Sequence, residues 1–403
     1  MRTLPPAVET GFRTLESAGS FGVAEDDLPE RVARVLRDNF AFACSLISAT
    51  DTGPAVEIEP ITGSASWPVV AGNPIARLSR FTAIRAENGK LLMESPLATH
   101  RAIVRDGELL SALTALTGAA RCATLPSGPA LAALASCGLI ATADDDGGFT
   151  EDASLWSFHD LQSWWRSRPG LHDYPVGASS DRVMHRSGSR PDGFRPGEAI
   201  TLPPVDLTRL RSADVTLTEA IEQRRSTREF GRPITAGELG ELLYRAVGAR
   251  DRGRAYPAAG GIDELTVYLA VGRCTGLPSG VYRYLPAEHA LAPKEDRFDP
   301  AVLLAAAKGV AGAPQRPDVL VVLTSRTSEL AGKYQGLGYS LTLRNTGVVY
   351  QNLYLVAAAM GLAACALGFG DNALIQRALS LRFPEEIPVG EFMLGTRQEM
   401  QTD

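Results

Sequence analysis

Residues 332–371 read GKYQGLGYSLTLRNTGVVYQNLYLVAAAMGLAACALGFGD. Lys333 and Tyr334 stand at what reads as a helix entrance. A long apolar helix is expected over 341–360, ended by Gly361, since glycine commonly closes a helix. A short buried strand over 363–367 and a glycine-rich turn come next. That order sets a proton-transfer pair and a flavin-sized cradle in one unit. Adjacent residues on a regular helix diverge by ~100°, so Lys333 and Tyr334 act together only at a helix end or loop. Gly332 and Gly336 permit that. A tyrosine hydroxyl beside an ammonium is a plausible base, because the positive charge stabilises the phenolate.

Two stretches upstream share the theme. RRSTREF, at 224–230, lies where a helix ends and an extended segment starts. Guanidinium groups bind phosphate bidentately, and Ser226 adds a neutral hydrogen bond; the alternative is a solvated basic helix end. YPAAGG, at 256–261, is a Pro-then-Gly turn ahead of a strand, and its small residues let backbone approach a flat ring closely. Gly368-Phe369-Gly370-Asp371-Asn372-Ala373 also matches a dinucleotide fingerprint. Only about thirty residues remain after it, too few for the second half of a βαβ unit, so a turn against a flavin edge fits better.

Around these motifs, helices are expected over 216–225 and after the capping box Thr235–Glu238, with further helices at 300–308 and 372–381. Strands are expected at 265–271, 281–285, 319–324 and 389–394. Helices and strands interleave without regular βαβ alternation, so the fold class is α+β rather than doubly wound. The Pro/Gly/Ser/Arg-rich stretch 174–204 reads as a linker, giving a module over 1–173 and a second domain over 205–403. In the first module, 28–46 has helical spacing, and 81–95 alternates around Asn88-Gly89 as a hairpin with a type I′ turn. Helices follow at 107–116 and 129–137, and a second strand pair is expected around the turn 144–148. This describes a small α+β, winged-helix-like module. His159 and Asp160 lack a third ligand at metal spacing; among Trp156, Phe158, Trp164 and Trp165 they read as an amphipathic helix that docks one domain on the other. No metal site is expected.

Composition narrows the function classes. The 403 residues are 45% hydrophobic and 21% charged, as in a soluble globular protein of about two domains. A net charge of -6 argues against a nucleic-acid binder. Five scattered cysteines without a CxxC pair fit reduced thiols, and no apolar run reaches membrane-spanning length, so a cytoplasmic enzyme is expected.

The second half resembles the nitroreductase-like flavoproteins, and more narrowly the SagB/ThcOx/McbC type, FMN-dependent azoline dehydrogenases of thiazole and oxazole peptide biosynthesis. The pieces that carry the likeness are RRSTREF, YPAAGG with LTVYLAVG, GLPSGVYRYLP with His289 after it, GKYQGLGYS, VVYQNLYLVAAAMGLAACALGFGD and FMLGTR, in order over 216–397. LSRFTAIRAENGKLLMESPLATHRAIV and WSFHDLQSWWRSRPG in the first half resemble the family's extension. The resemblance implies FMN at a homodimer interface. Arg224, Arg225, Ser226 and Arg228, with Arg397, would hold its phosphate and ribityl end. Pro257, Ala258, Ala259, Gly260, Gly261, Leu367 and Gly368 would lie along the isoalloxazine, and Lys333 and Tyr334 would be catalytic. It further implies oxidation of thiazoline or oxazoline rings in a ribosomal precursor peptide, with a YcaO-type cyclodehydratase as a partner. The alternatives are an oxidase of carrier-protein-bound thiazolines, an NAD(P)H-dependent nitro- or quinone reductase, and a non-catalytic scaffold. Three departures bear on the pocket: Ala258 where the family often has Ser, Ser340 where an Arg is common, and Arg344-Asn345-Thr346-Gly347-Val348 where a Glu-Ala-Gly-His run is common.

Overall fold

The computed structural model describes residues 46–50, 53–61, 73–175, 193–251 and 253–398. The helix expected over 28–46 lies almost wholly outside them. The chain divides into two compact units, Met1–Pro175 and Val176–Asp403.

The first unit contains β1 (Leu46–Thr50), β2 (Gly53–Pro60), β3 (Ile75–Arg77), β4 (Ala83–Glu87), β5 (Lys90–Glu94) and β6 (His100–Val104). After α1 (Gly107–Ala115) come β7 (Ala120–Arg121), α2 (Gly128–Ser136), β8 (Ala141–Thr142) and α3 (Phe158–Arg166). An antiparallel sheet runs β1-β2-β6-β5-β4. Its β4–β5 hairpin pairs Glu87 with Lys90, leaving Asn88 (φ 51°) and Gly89 (φ 74°) as the two left-handed residues that a type I′ turn requires. Met93, Leu109, Leu113, Leu131 and Leu134 close the core beneath it.

The turn 144–148 forms, with Asp144 N–H donating to Gly148 O at 2.7 Å. It does not join a strand pair, however: β8 pairs instead with β3, some sixty-five residues upstream, in the order β7-β3-β8. The five-stranded sheet also goes beyond the hairpins-and-helices module expected.

The second unit runs β9 (Ile200–Thr201), α4 (Leu207–Ala213), α5 (Leu217–Gln223), β10 (Ile234–Thr235), α6 (Ala236–Val247), β11 (Ala249–Arg250), β12 (Gly253–Arg254), β13 (Leu265–Val271), β14 (Cys274–Thr275), β15 (Gly280–Leu285) and β16 (Ala290–Pro293). It continues through α7 (Pro300–Ala311), β17 (Val319–Arg326), α8 (Thr327–Lys333), α9 (Gly338–Ala359), β18 (Leu362–Ala366), α10 (Asn372–Leu379) and β19 (Glu386–Thr396). Its sheet has the order β18-β19-β17-β13-β15-β16-β9, antiparallel throughout. This is the α+β arrangement expected. Capping boxes start α5 (Thr216 with Glu219) and α6 (Thr235 with Glu238). β13 and most of β17 are buried along their length, because helices cover both faces of the sheet. On one face α6 and α9 pack with Leu242, Leu269, Val321, Leu353 and Phe392. On the other, α7 and α10 pack with Tyr268, Leu303, Val322, Ile375 and Met393.

The end of the stretch read as a linker belongs to this sheet. Residues 200–201 form the edge strand β9 against β16, and Phe194 is buried against Tyr268. Edge pairing needs backbone groups rather than an apolar period, which is why the composition did not announce it.

Candidate functional site

Lys333 is the last residue of α8, and Tyr334 caps it in extended conformation (φ −119°), its N–H donating to Leu330 O at 2.7 Å. The pair therefore sits at the exit of a short helix that the sequence reading missed, four residues ahead of α9, and not at a helix entrance. The break from helix at Tyr334 lets neighbouring side chains turn to one place. Lys333 Nζ lies 5.4 Å from the Tyr334 ring centroid.

That place is the backbone of Gly260. A Cβ built on Gly260 would collide with Tyr334 Oη and stand 2.9 Å from Lys333 Nζ. Gly260 and Gly261 are both left-handed (φ 62° and 69°), so the turn takes a path that most side chains resist. The reactive pair and the YPAAGG turn, more than seventy residues apart in sequence, thus meet. Pro257, Gly260 and Gly261 are exposed; Ala258 and Ala259 are half-buried, and Ala258 packs on the core.

The turn is tied to α9. Ala259 N–H donates to Asn345 Oδ1 at 3.1 Å, and Asn345 Nδ2 donates to Glu264 Oε1 at 2.7 Å. Asn352, two turns further along the same flank of α9, donates to Ala246 O (3.2 Å) and Ala255 O (3.1 Å). Glu264 is fully buried, and burial raises its carboxyl above the ordinary carboxylate range even though Asn345 pulls the other way.

The basic motif forms a second group. Arg224 caps α5, and the chain then runs along β18, where Thr227 N–H donates to Ala364 O at 2.8 Å. Ser226 Oγ shares a 2.7 Å hydrogen bond with Tyr354 Oη, and that oxygen accepts from Ala366 N at 2.8 Å. Arg224 stacks on the Tyr354 ring at 5.3 Å. Arg397 donates through Nε to Leu362 O at 3.2 Å; burial and the neighbouring Arg225 both push its guanidinium down from its usual value. Among the described residues no carboxylate pairs with Arg224, Arg225, Arg228 or Arg397. Uncompensated cations gathered at one sheet edge suit a phosphate. Gly368 is exposed, whereas the Leu367 side chain is in the core and its N–H is taken by Glu391 O at 2.9 Å. Open glycine backbone and unpaired arginines fit a phosphorylated flat ring. Among the described residues no cluster could hold a metal ion.

The two groups are anchored on different flanks of α9. Asn345 and Tyr354 are nine residues apart on α9, about two and a half turns, so they project from opposite flanks. One flank holds the Gly260 turn with Lys333 and Tyr334; the other holds Ser226 and β18. Tyr354, Asn345 and Glu264 were not singled out from sequence. The only hint was that Asn345 falls where the resembling family commonly has Glu.

The nitroreductase family model matches residues 221–396, and the cyanobactin oxidase ThcOx model matches 76–173. The Methanocaldococcus jannaschii protein MJ1384, described as a nitroreductase, is 30% identical over 168 residues, 40% of this chain and 83% of that protein. Among solved structures, a nitroreductase from Ralstonia eutropha is 24% identical at TM-score 0.42, covering 56% of this chain and 96% of its own. One from Anabaena variabilis is 15% identical at TM-score 0.43, covering 95% and 91%. A chain of the E. coli microcin synthetase McbBCD complex with truncated pro-MccB17 is 21% identical at TM-score 0.39, covering 50% and 85%.

Proposed function

This chain belongs to the nitroreductase family of flavoprotein oxidoreductases and carries a ThcOx-type segment ahead of that domain; on that premise we propose that it oxidises azoline rings in a peptide to azoles. The observation that carries the reading is the convergence of Lys333 and Tyr334 on Gly260. A nitro- or quinone reductase draws its hydrogens from a nicotinamide and needs no protein base of this kind. Aromatisation of an azoline removes a proton from Cα and a hydrogen with its electron pair from Cβ. Bound FMN supplies the two-electron acceptor for that chemistry. Tyr334 Oη takes the Cα proton, and Lys333, over the same ring, holds positive charge beside it.

Arg224, Arg225, Ser226, Arg228 and Arg397 would hold the phosphate, and Gly368 would offer open backbone to the ring. Because this group and the Lys-Tyr group stand on opposite flanks of α9, the working site is completed by a second copy of the chain. Leu217 (67% exposed), Ile221 (53%), Tyr339 (58%) and Leu343 (47%) on α5 and α9 give such a dimer apolar surface to bury.

The substrate is a peptide, held by the first unit. β4 is an edge strand. Glu87 and Lys90 flank the two-residue turn, so Ile84 and Ala86 point their N–H and C=O groups away from β5. An extended segment can add there as a further strand. The peptide arises from cysteine or serine/threonine cyclodehydration, which makes a YcaO-type enzyme the natural partner.

The test is turnover of a synthetic peptide carrying one thiazoline, with FMN bound. Tyr334→Phe is expected to lose at least ~10²-fold in kcat, the scale of removing a general base. Full turnover by that variant would sink the assignment.

A further inference from the structure

We propose that Glu264 and Asn345 form a positioning relay for the reactive pair, so that the buried carboxylate sets the geometry of Lys333 and Tyr334 through the Gly260 turn; this rests on the functional reading above. Glu264 stands one residue ahead of β13, is fully buried, and offers one oxygen to Asn345. Its other oxygen has no partner among the described residues. A buried carboxylate with one oxygen unmatched is costly to keep. What the carboxylate does here is fix the Asn345 amide. With Nδ2 committed to Glu264, the amide cannot flip, and Oδ1 must face Ala259 N–H. Ala259 is bonded to Gly260, the residue on which Tyr334 Oη and Lys333 Nζ converge. The turn closes on itself through Gly261 N–H to Ala258 O (3.0 Å) and Ile262 N–H to Ala259 O (3.2 Å), and the Asn345 bond to Ala259 N–H ties that closed turn to α9.

Neighbouring charges do not substitute for Glu264. Asp263 is engaged by Arg254, and Arg326 donates to Asp263 O and pairs with Glu329. Ser325 and Thr342 share a 3.3 Å hydrogen bond. Glu264 and Asn345 are therefore positioning residues: they act through the turn and touch neither substrate nor cofactor.

The experiment uses the full chain with FMN bound and a peptide carrying one thiazoline. Asn345→Asp sets a second carboxylate against Glu264; Glu264→Gln with Asn345→Asp exchanges donor and acceptor while leaving one carboxylate. In the single variant kcat is expected to fall ~10–100-fold with KM within about threefold, the pattern of a misplaced group rather than lost binding. The loss should deepen as pH rises and both carboxyls ionise. The exchange variant should recover to within about threefold of wild type with a wild-type pH profile. Hydrogen exchange at the Ala259 amide reads the tether without any turnover: faster in Asn345→Asp at high pH, slow again in the exchange variant. Wild-type kcat and exchange in Asn345→Asp would overturn the relay, as would an exchange variant that folds with FMN bound yet stays slow. If Tyr334→Phe is slow while Asn345→Asp is not, the relay alone is wrong. If Tyr334→Phe keeps full turnover, the functional reading fails and the relay with it.

Discussion

Gly260→Ala probes the convergence at the heart of the site. The added methyl would collide with Tyr334 Oη and stand 2.9 Å from Lys333 Nζ. Ordinary contact begins at 3.4 Å, so the hydroxyl must retreat by about 1 Å. A 1 Å misplacement of a reacting group costs on the order of 10²-fold in rate, or ~2.7 kcal/mol of barrier. Holding alanine at φ 62° adds roughly 1–2 kcal/mol of lost stability. Gly261→Ala is the control, because Gly261 has the same left-handed backbone (φ 69°) but nothing within 4 Å of its Cβ position. Both variants should lower the urea midpoint by a similar amount, with FMN content checked by absorbance. Only Gly260→Ala should lose ~10²-fold in kcat on a thiazoline peptide, and the loss in Gly261→Ala should be at least tenfold smaller. Equal kcat losses in the two would refute the reasoning, since backbone strain would then explain everything. So would a Gly260→Ala enzyme within threefold of wild type.

Tyr354→Phe removes the oxygen that Ser226 and Ala366 N–H share, and should weaken FMN binding about tenfold by fluorescence titration, the scale of an unmade buried hydrogen bond. Co-expression of an Arg225→Leu chain with a Tyr334→Phe chain should restore part of the activity that neither homodimer has, because one intact site forms across the mixed dimer; no recovery despite mixed dimers would contradict the shared site. Ala86→Pro removes an outward-facing N–H from β4 and should weaken peptide binding by about tenfold while FMN stays bound; unchanged affinity by calorimetry would refute docking at that edge. Glu391 is a buried carboxyl pushed up to about 7 by burial. The folded state holds its proton more tightly than the unfolded state, so its contribution falls as pH rises from about 4.5 and levels off above about 7, by at most ~3 kcal/mol. Glu391→Gln should therefore be the more stable chain in urea at pH 8 but not at pH 4.5, and parallel pH profiles would show that Glu391 does not titrate this way.

Turns and helix starts whose partners lie within a few residues are legible in the sequence. Asn88-Gly89 specifies its hairpin because only left-handed residues fit a type I′ turn. Thr235 with Glu238 specifies a helix start because the pair satisfies its own orphan donors. What stayed hidden is set by distant partners. The helix Thr327–Lys333 has seven residues and one buried leucine, too little periodicity to see. β8 is two residues long and takes its place from β3. The meeting of Gly260 with Lys333 and Tyr334 depends on β13 lying beside β17, a pairing that no short window contains. In sequence Asn345 is only a departure from a motif; its bonds to Ala259 on one side and Glu264 on the other join partners more than eighty residues away.

The most direct measurement is the flavin absorbance of the purified chain, reconstituted with FMN and mixed without oxygen with a peptide carrying one thiazoline. The account predicts bleaching by the peptide, coupled to a mass loss of two hydrogens from it, and no bleaching when Tyr334 is Phe. Bleaching by NADPH alone, with the peptide inert, would contradict it.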